Sequence, residues 1–175
     1  MLYRNYCCRQ ILTILFIFNL TACGYQLRGE TSKFIISAEW KKLALRSANP
    51  RDELTRQVTL VFRSAGVEWS PISSANYVLS LASPNLTQRV QSLNSQARPS
   101  EIDLTLTLHI SIFDKEGKEI LPETGMVVRR RINNNPLNAT GVNEEIRLTT
   151  SEMQRQLAEN LLRRVSTLTH SIGKN

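Results

Sequence analysis

The stretch Glu101-Ile102-Asp103-Leu104-Thr105-Leu106-Thr107-Leu108-His109-Ile110-Ser111-Ile112-Phe113 alternates apolar and polar side chains without a break. Successive side chains of a β-strand point to opposite faces. Ile102, Leu104, Leu106, Leu108, Ile110 and Ile112 therefore share one face. Asp103, Thr105, Thr107, His109 and Ser111 share the other. A strand of this kind belongs to a sheet with one dry face and one polar face. A slip by one residue would turn every apolar side chain to water, so the facing is strongly specified.

Outward from this strand, Lys115-Glu116-Gly117-Lys118 reads as a turn. Met126, Val128 and Ile132 mark a fourth strand that stops before Asn133-Asn134-Asn135-Pro136. On the N-terminal side, Gln91–Ser100 is polar and reads as a hairpin loop. Tyr77, Leu79 and Leu81 alternate with polar or small residues and mark a second strand. It can continue past Pro84 through Leu86 to Val90, because an edge position tolerates proline. Leu43 and Leu45, within Lys42–Arg46, mark a short first strand.

Two segments carry helical spacing. Leu54, Val58, Val61, Phe62 and Ala65 form one apolar stripe. Asn49 suits its N-cap, Pro50 its first position and Asp52 the positive end of the dipole. Gly66 supplies a left-handed cap. In Asn143–Leu168 the stripe is Ile146, Met153, Leu157, Leu161, Val165 and Leu168. Two amphipathic helices can cover one face of a four-stranded sheet. The predicted fold is α+β, a two-layer sandwich with two helices on one face of four strands.

The first 22 residues have a different character. Arg4 and Arg9 precede the apolar run Ile11–Leu20, which is followed by Leu20-Thr21-Ala22-Cys23. A basic start, a short apolar segment and small residues at its end describe a secretory leader. The run is too short for a bilayer, which needs about 20 apolar residues. Leu-Thr-Ala-Cys resembles the lipobox of bacterial lipoproteins, in which the cysteine thiol takes a diacylglyceryl group and the leader is cut before it. The domain reading is then a signal peptide at 1–22, a lipid-anchored linker at 23–40, one domain at 41–170 and a tail at 171–175. Two or three acyl chains anchor stably where one does not.

The chain has 22 basic and 15 acidic residues. Two of the basic ones lie in the leader, so the mature part stays cationic and favours an anionic partner. Cys7 and Cys8 leave with the leader. Cys23 then has no cysteine to pair with, and the core rests on packing alone.

No catalytic constellation is present in the sequence. His109 lies on a polar strand face and His170 near the tail, neither beside a second ligand at useful spacing, so no metal site is expected. No glycine-rich phosphate loop or nucleophile elbow occurs. The expectation is a protein that is not an enzyme and holds no cofactor. Arg129-Arg130-Arg131 is the one dense basic group. Strand alternation puts Arg129 and Arg131 on the polar face, with Arg89 and Arg98 near the other hairpin, as candidates for an anionic ligand. Arg130 would share the face of Val128 and Ile132, where a charge needs a partner. Glu144 or Glu145 at the start of the last helix is the expected one. Nucleic acid is disfavoured for an exported domain with few aromatics.

Cys23-Gly24-Tyr25-Gln26-Leu27-Arg28-Gly29 resembles the mature start of the LPS-assembly lipoprotein family, LptE. The resemblance continues through Leu43-Ala44-Leu45 with the first helix, the Gly66-Val67 turn and the alternating strand. It ends with Arg130, Asn135-Pro136, Asn143-Glu144-Glu145 and Glu152-Met153. It implies a lipoprotein on the periplasmic side of the outer membrane. It also implies a β-barrel partner, LptD, that the domain plugs and helps to assemble, and binding of LPS. Gly24 after the cysteine agrees with outer-membrane sorting. In the family, LPS contact is attributed to basic residues in the loop before the long strand and on the fourth strand. The matching stretches here are Ser92–Arg98 and Gly125–Val128, with Arg89, Arg98 and Arg129 as the nearby cations. The alternative reading is a stand-alone periplasmic lipoprotein that binds an anionic lipid or glycan.

Cys23→Ser is expected to abolish lipidation. In a detergent phase separation the wild-type chain should enter the detergent phase and the variant the aqueous phase.

Overall fold

The computed structural model of the chain describes residues 36–93, 95–134 and 139–172. The leader, Cys23 and the resemblance at 24–29 lie outside the described residues, as do Asn135-Pro136 and the end of the tail from residue 173. A short 3-10 turn, η1 (Ala38–Lys41), leads into β1 (Lys42–Ser47) and helix α1 (Glu53–Ser64). The two-residue β2 (Glu68–Trp69), a second 3-10 turn η2 (Ile72–Ser74), β3 (Tyr77–Leu81) and β4 (Asn85–Leu93) follow. The chain closes with β5 (Pro99–Asp114), β6 (Glu119–Asn133) and helix α2 (Ala139–Ile172).

The sheet is organised on β5. β3 pairs antiparallel with its C-terminal part, from Leu81↔Ile110 to Tyr77↔Asp114. β4 pairs with its N-terminal part, from Asn85↔Thr107 to Leu93↔Pro99. β3 and β4 thus lie end to end along one side of β5, broken at Ala82–Pro84. β6 takes the other side, from Glu101↔Asn133 to Phe113↔Glu119. β1 lies parallel to β3, and β2 extends the sheet beyond β1. The α+β layering agrees with the sequence, but the described residues form six strands rather than four. Pro84 cannot donate to a ladder, so the long second strand becomes β3 and β4. The short β2 has no alternation long enough to read.

Leu104, Leu106, Leu108, Ile110 and Ile112 are each at most 2% exposed, beneath the two helices. Burying each such side chain contributes about 1.5–3 kcal/mol. Val58 and Phe62 of α1 and Met153, Leu157, Leu161 and Val165 of α2 meet them in one cluster. Trp40 stacks on Tyr77 with ring centroids 3.9 Å apart. Ile36 and Trp40 are buried in the same core, so the packed domain takes in residues that the sequence assigns to the linker. A small second cluster of Ala44, Ala75 and Val78, with Phe113 against it, lies apart from the main core.

Three boundaries move. The N-cap of α1 is Asp52, whose carboxylate accepts from the Glu53 amide at 2.8 Å. Asn49 instead closes the preceding turn: its carbonyl accepts from the Asp52 amide at 3.1 Å and the Thr55 hydroxyl at 2.9 Å. The loop predicted at Gln91–Ser100 is shorter, because β4 runs to Leu93 and β5 begins at Pro99. α2 extends both before Asn143 and past Leu168, so His170 falls within the helix. The Gly66 cap is as expected. Its φ is +86°, and the Gly66 and Val67 amides donate to the carbonyls of Arg63 and Phe62 at 2.9 and 3.0 Å. This is a Schellman motif.

Gly66→Ala meets no atom within 4 Å, so its cost is the positive φ alone. It should destabilise by about 1 kcal/mol. Leu157→Ala in the core should cost about 2–5 kcal/mol. Urea unfolding of the two variants would show the difference.

Candidate functional site: a basic polar sheet face

The face of β5 opposite the helices carries Asp103, Thr105, Thr107, His109 and Ser111, as the alternation requires. Register adds their neighbours. Arg89, Asp103 and Arg131 form one row across β4, β5 and β6, and Thr87, Thr105 and Arg129 form the next. Side chains directly opposite on one face lie about 5 Å apart at Cβ. Arg89, Arg129 and Arg131 are therefore on one polar face, and all three are exposed. Arg98 is exposed in the turn between β4 and β5, beside Ala97 with its φ of 58°.

The three face arginines are not equivalent. The Arg131 Nε donates to Asp103 Oδ1 at 2.7 Å. That hydrogen bond, then the charge of Asp103, pushes the Arg131 pKa upward. Asp103 is opposite Arg89 as well, but its ion pair is with Arg131. Among the described residues, the guanidiniums of Arg89 and Arg129 have no partner. Two strand spacings and two residues separate them, or about 12 Å between Cα atoms. Cations at that separation suit a ligand with several anionic groups better than one small anion.

Arg130 lies on the helix side, opposite Leu104, as alternation places it. Its partner is not Glu144 or Glu145. Its Nη2 donates to Gln156 Oε1, and its Nη1 donates to the carbonyl of Arg129 at 3.1 Å. Glu144 is held by Arg147 at 2.6 Å, one helical turn away, which keeps its carboxyl below the usual carboxylate range. The reason is reach. Glu144 precedes Gln156 by twelve residues, or about 18 Å along the helix.

His109 sits across from Gly125, and its Nδ1 is 2.9 Å from Glu123 Oε1. Among the described residues, no group of three or more His, Cys, Asp or Glu is placed to hold a metal ion. No helix among them is long and apolar enough to cross a membrane.

Two cations escaped the sequence reading. A groove of about 600 Å³ runs between β6 and α2, with Met126, Val127 and Leu168 beside Arg163 and Arg164. Arg163 and Arg164 lie on the exposed side of a helix whose apolar stripe alone was informative. Only the packing of α2 along β6 brings them beside Gly125, Met126 and Val127.

If Asp103 acts as the internal counter-ion, Asp103→Asn should elute from phosphocellulose at higher salt than the wild type. Arg89→Ala with Arg129→Ala should elute at lower salt. Equal elution of all three proteins would show that this face does not govern anion binding.

The chain is 29% identical over 151 residues to the LPS-assembly lipoprotein LptE of Pectobacterium atrosepticum, covering 85% of this chain and 79% of that one. The crystal structure of the rare lipoprotein B from Shewanella oneidensis superposes with a TM-score of 0.67 at 23% identity, over 75% of this chain and 98% of that one. The solution structure of an uncharacterized lipoprotein B from Nitrosomonas europaea gives 0.68 at 14% identity, over 84% and 93%. A minor lipoprotein from Acinetobacter baumannii gives 0.60 at 26% identity, over 73% and 92%. The family model described as LptE, lipopolysaccharide-assembly, matches residues 40–165, and the chain belongs to that family.

Proposed function

We propose that this chain is an outer-membrane lipoprotein, anchored through Cys23, that plugs and helps to assemble the LptD β-barrel and contacts LPS during its insertion. Membership of the lipopolysaccharide-assembly family supports the role in LPS assembly. The observation that carries the finer reading is the exposed polar face of β4–β6, with Arg89 and Arg129 unpartnered among the described residues. A barrel lumen is wet and lined by hydrogen-bonding groups. A flat face of threonines, a histidine and arginines can meet it directly or through bridging water without the cost of dehydrating an apolar surface. Phosphates and carboxylates of LPS offer charge-assisted hydrogen bonds to arginine. The groove beside Met126, Val127 and Leu168 sets an apolar strip next to Arg163 and Arg164, a combination that suits an acylated anion.

The anchor gives the domain a place to act. Two or three acyl chains hold it at the membrane surface and raise its effective concentration near a barrel being assembled there. Such a role needs no bond-making chemistry from the protein. Positioning and charge are sufficient for a plug and a transient ligand contact.

Extraction in mild detergent and capture of the chain should recover the LptD barrel. Recovery of the chain alone would favour a free-standing lipoprotein that binds an anionic lipid or glycan. For the ligand, Arg89→Ala with Arg129→Ala should lower LPS capture several-fold at low salt, and less at high salt where exposed charges are screened. Unchanged capture would remove these two residues from the LPS site.

A further inference from the structure

The two long edges of the sheet are protected very differently. The outer edge of β6 contains Pro122, two register shifts against β5 and the run Arg129-Arg130-Arg131. Proline, bulges and cations are the usual means by which a strand edge is made unavailable for pairing. β2, at the far side of the sheet, has two residues. β4 has few of these features. It runs for nine residues from Asn85 to Leu93, with no proline and a single charge, Arg89. Its register shifts are confined to the end beyond Val90. Among the described residues, nothing pairs with its outer edge.

The helix layer also stops short of β4. Val90 faces the helix side, opposite Ile102 and in line with Ile132. Ile132 is 4% exposed, whereas Val90 is 49% exposed, and Leu93 at the strand end is 58% exposed. An unpaired ladder beside uncovered apolar side chains is the arrangement that takes an added strand. Main-chain hydrogen bonds would supply affinity, and alternate side chains would supply selectivity.

Charge identifies the occupant. Antiparallel self-pairing centred on β4 would set Arg89 against its own copy, and like charges directly opposite are destabilising. Arg129 and Arg131 lie on the same sheet face as Arg89 and add to the positive field. We propose that the β4 edge is a strand-addition site for an extended, acidic segment of another polypeptide. Its carboxylates would lie on the Arg89 side and its apolar residues over Val90. The proposal shares Arg89 with the LPS reading and adds the main-chain edge of β4, which that reading does not use.

The full chain in detergent can be titrated with an octapeptide that alternates glutamate and valine, followed by amide hydrogen exchange. Exchange at alternate amides between Asn85 and Val90 should slow at least tenfold. A lysine–valine octapeptide should leave these amides unchanged. Val90→Pro should remove the protection. Because that variant can also loosen the hairpin, Arg89→Glu provides a second arm: it should reverse the preference, so that the lysine peptide protects and the glutamate peptide does not. Absence of protection at saturating peptide would overturn the proposal. So would a dimer in sedimentation that itself protects β4, or equal protection by both peptides.

Discussion

The buried row Leu104, Leu106, Leu108, Ile110 and Ile112 is the constraint on which the rest of the molecule depends. These side chains come from one strand, and that strand pairs with three others: β3, β4 and β6. A period of two allows no intermediate facing. Once the row is buried beneath α1 and α2, Thr105, Thr107 and His109 must lie on the opposite side. The polar face is thus the geometric complement of the core. Among the described residues it remains available, because both long helices, α1 and α2, are committed to the apolar side. Its functional character then depends on which charges the neighbouring strands bring to it.

The alternation made the facing legible and left the register hidden. Counting back without a shift from the Phe113↔Glu119 pair beside the turn would place Arg129 opposite Asp103. The observed partner is Arg131, because two register shifts near Ile110–Phe113 each add one residue to β6. Two shifts of one residue restore the original facing. Arg129 and Arg131 therefore lie on the polar side, as alternation predicts, although their cross-strand partners cannot be counted from the sequence. The same limit governed Arg130. Its side of the sheet followed from the pattern, but its partner depended on how far α2 had advanced along β6. Helix phase reports which residues face the sheet and carries no information about axial position. Hence Gln156, and the approach of Arg163 and Arg164 to β6, appear only in the structure.

The smaller differences have local causes. Asn49 and Asp52 are both good N-cap residues, and composition alone cannot rank them. The Thr55 hydroxyl, bonded to the Asn49 carbonyl and the Ser47 hydroxyl, fixes Asn49 in a turn and leaves the cap to Asp52. The polar loop before β5 proved shorter because strand residues on an uncovered edge need no apolar alternation. Gln91 and Ser92 are as suitable there as valine would be. Trp40 lacked a periodic context, yet its stack on Tyr77 and the Asn76 side-chain bond to the Glu39 carbonyl at 2.7 Å fasten the domain's entry segment to β3.

The Asp103–Arg131 pair shows how a cationic face can be kept compatible with folding. Three arginines on adjacent rows of one face repel each other in the unliganded molecule. A carboxylate on the central strand neutralises one of them at 2.7 Å and leaves the other two on either side of it. The pair is exposed, so its contribution to stability is small and salt-sensitive. Its larger effect is on the pattern of charge. It divides a continuous positive patch into two separate cations and requires an approaching anion to compete with Asp103 for the third. Under the proposed function, a plug that enters a barrel before it meets ligand would gain from this arrangement. Unspecific attraction to every anionic surface is reduced, while the two outer arginines remain able to engage a ligand whose charges are spaced to reach both.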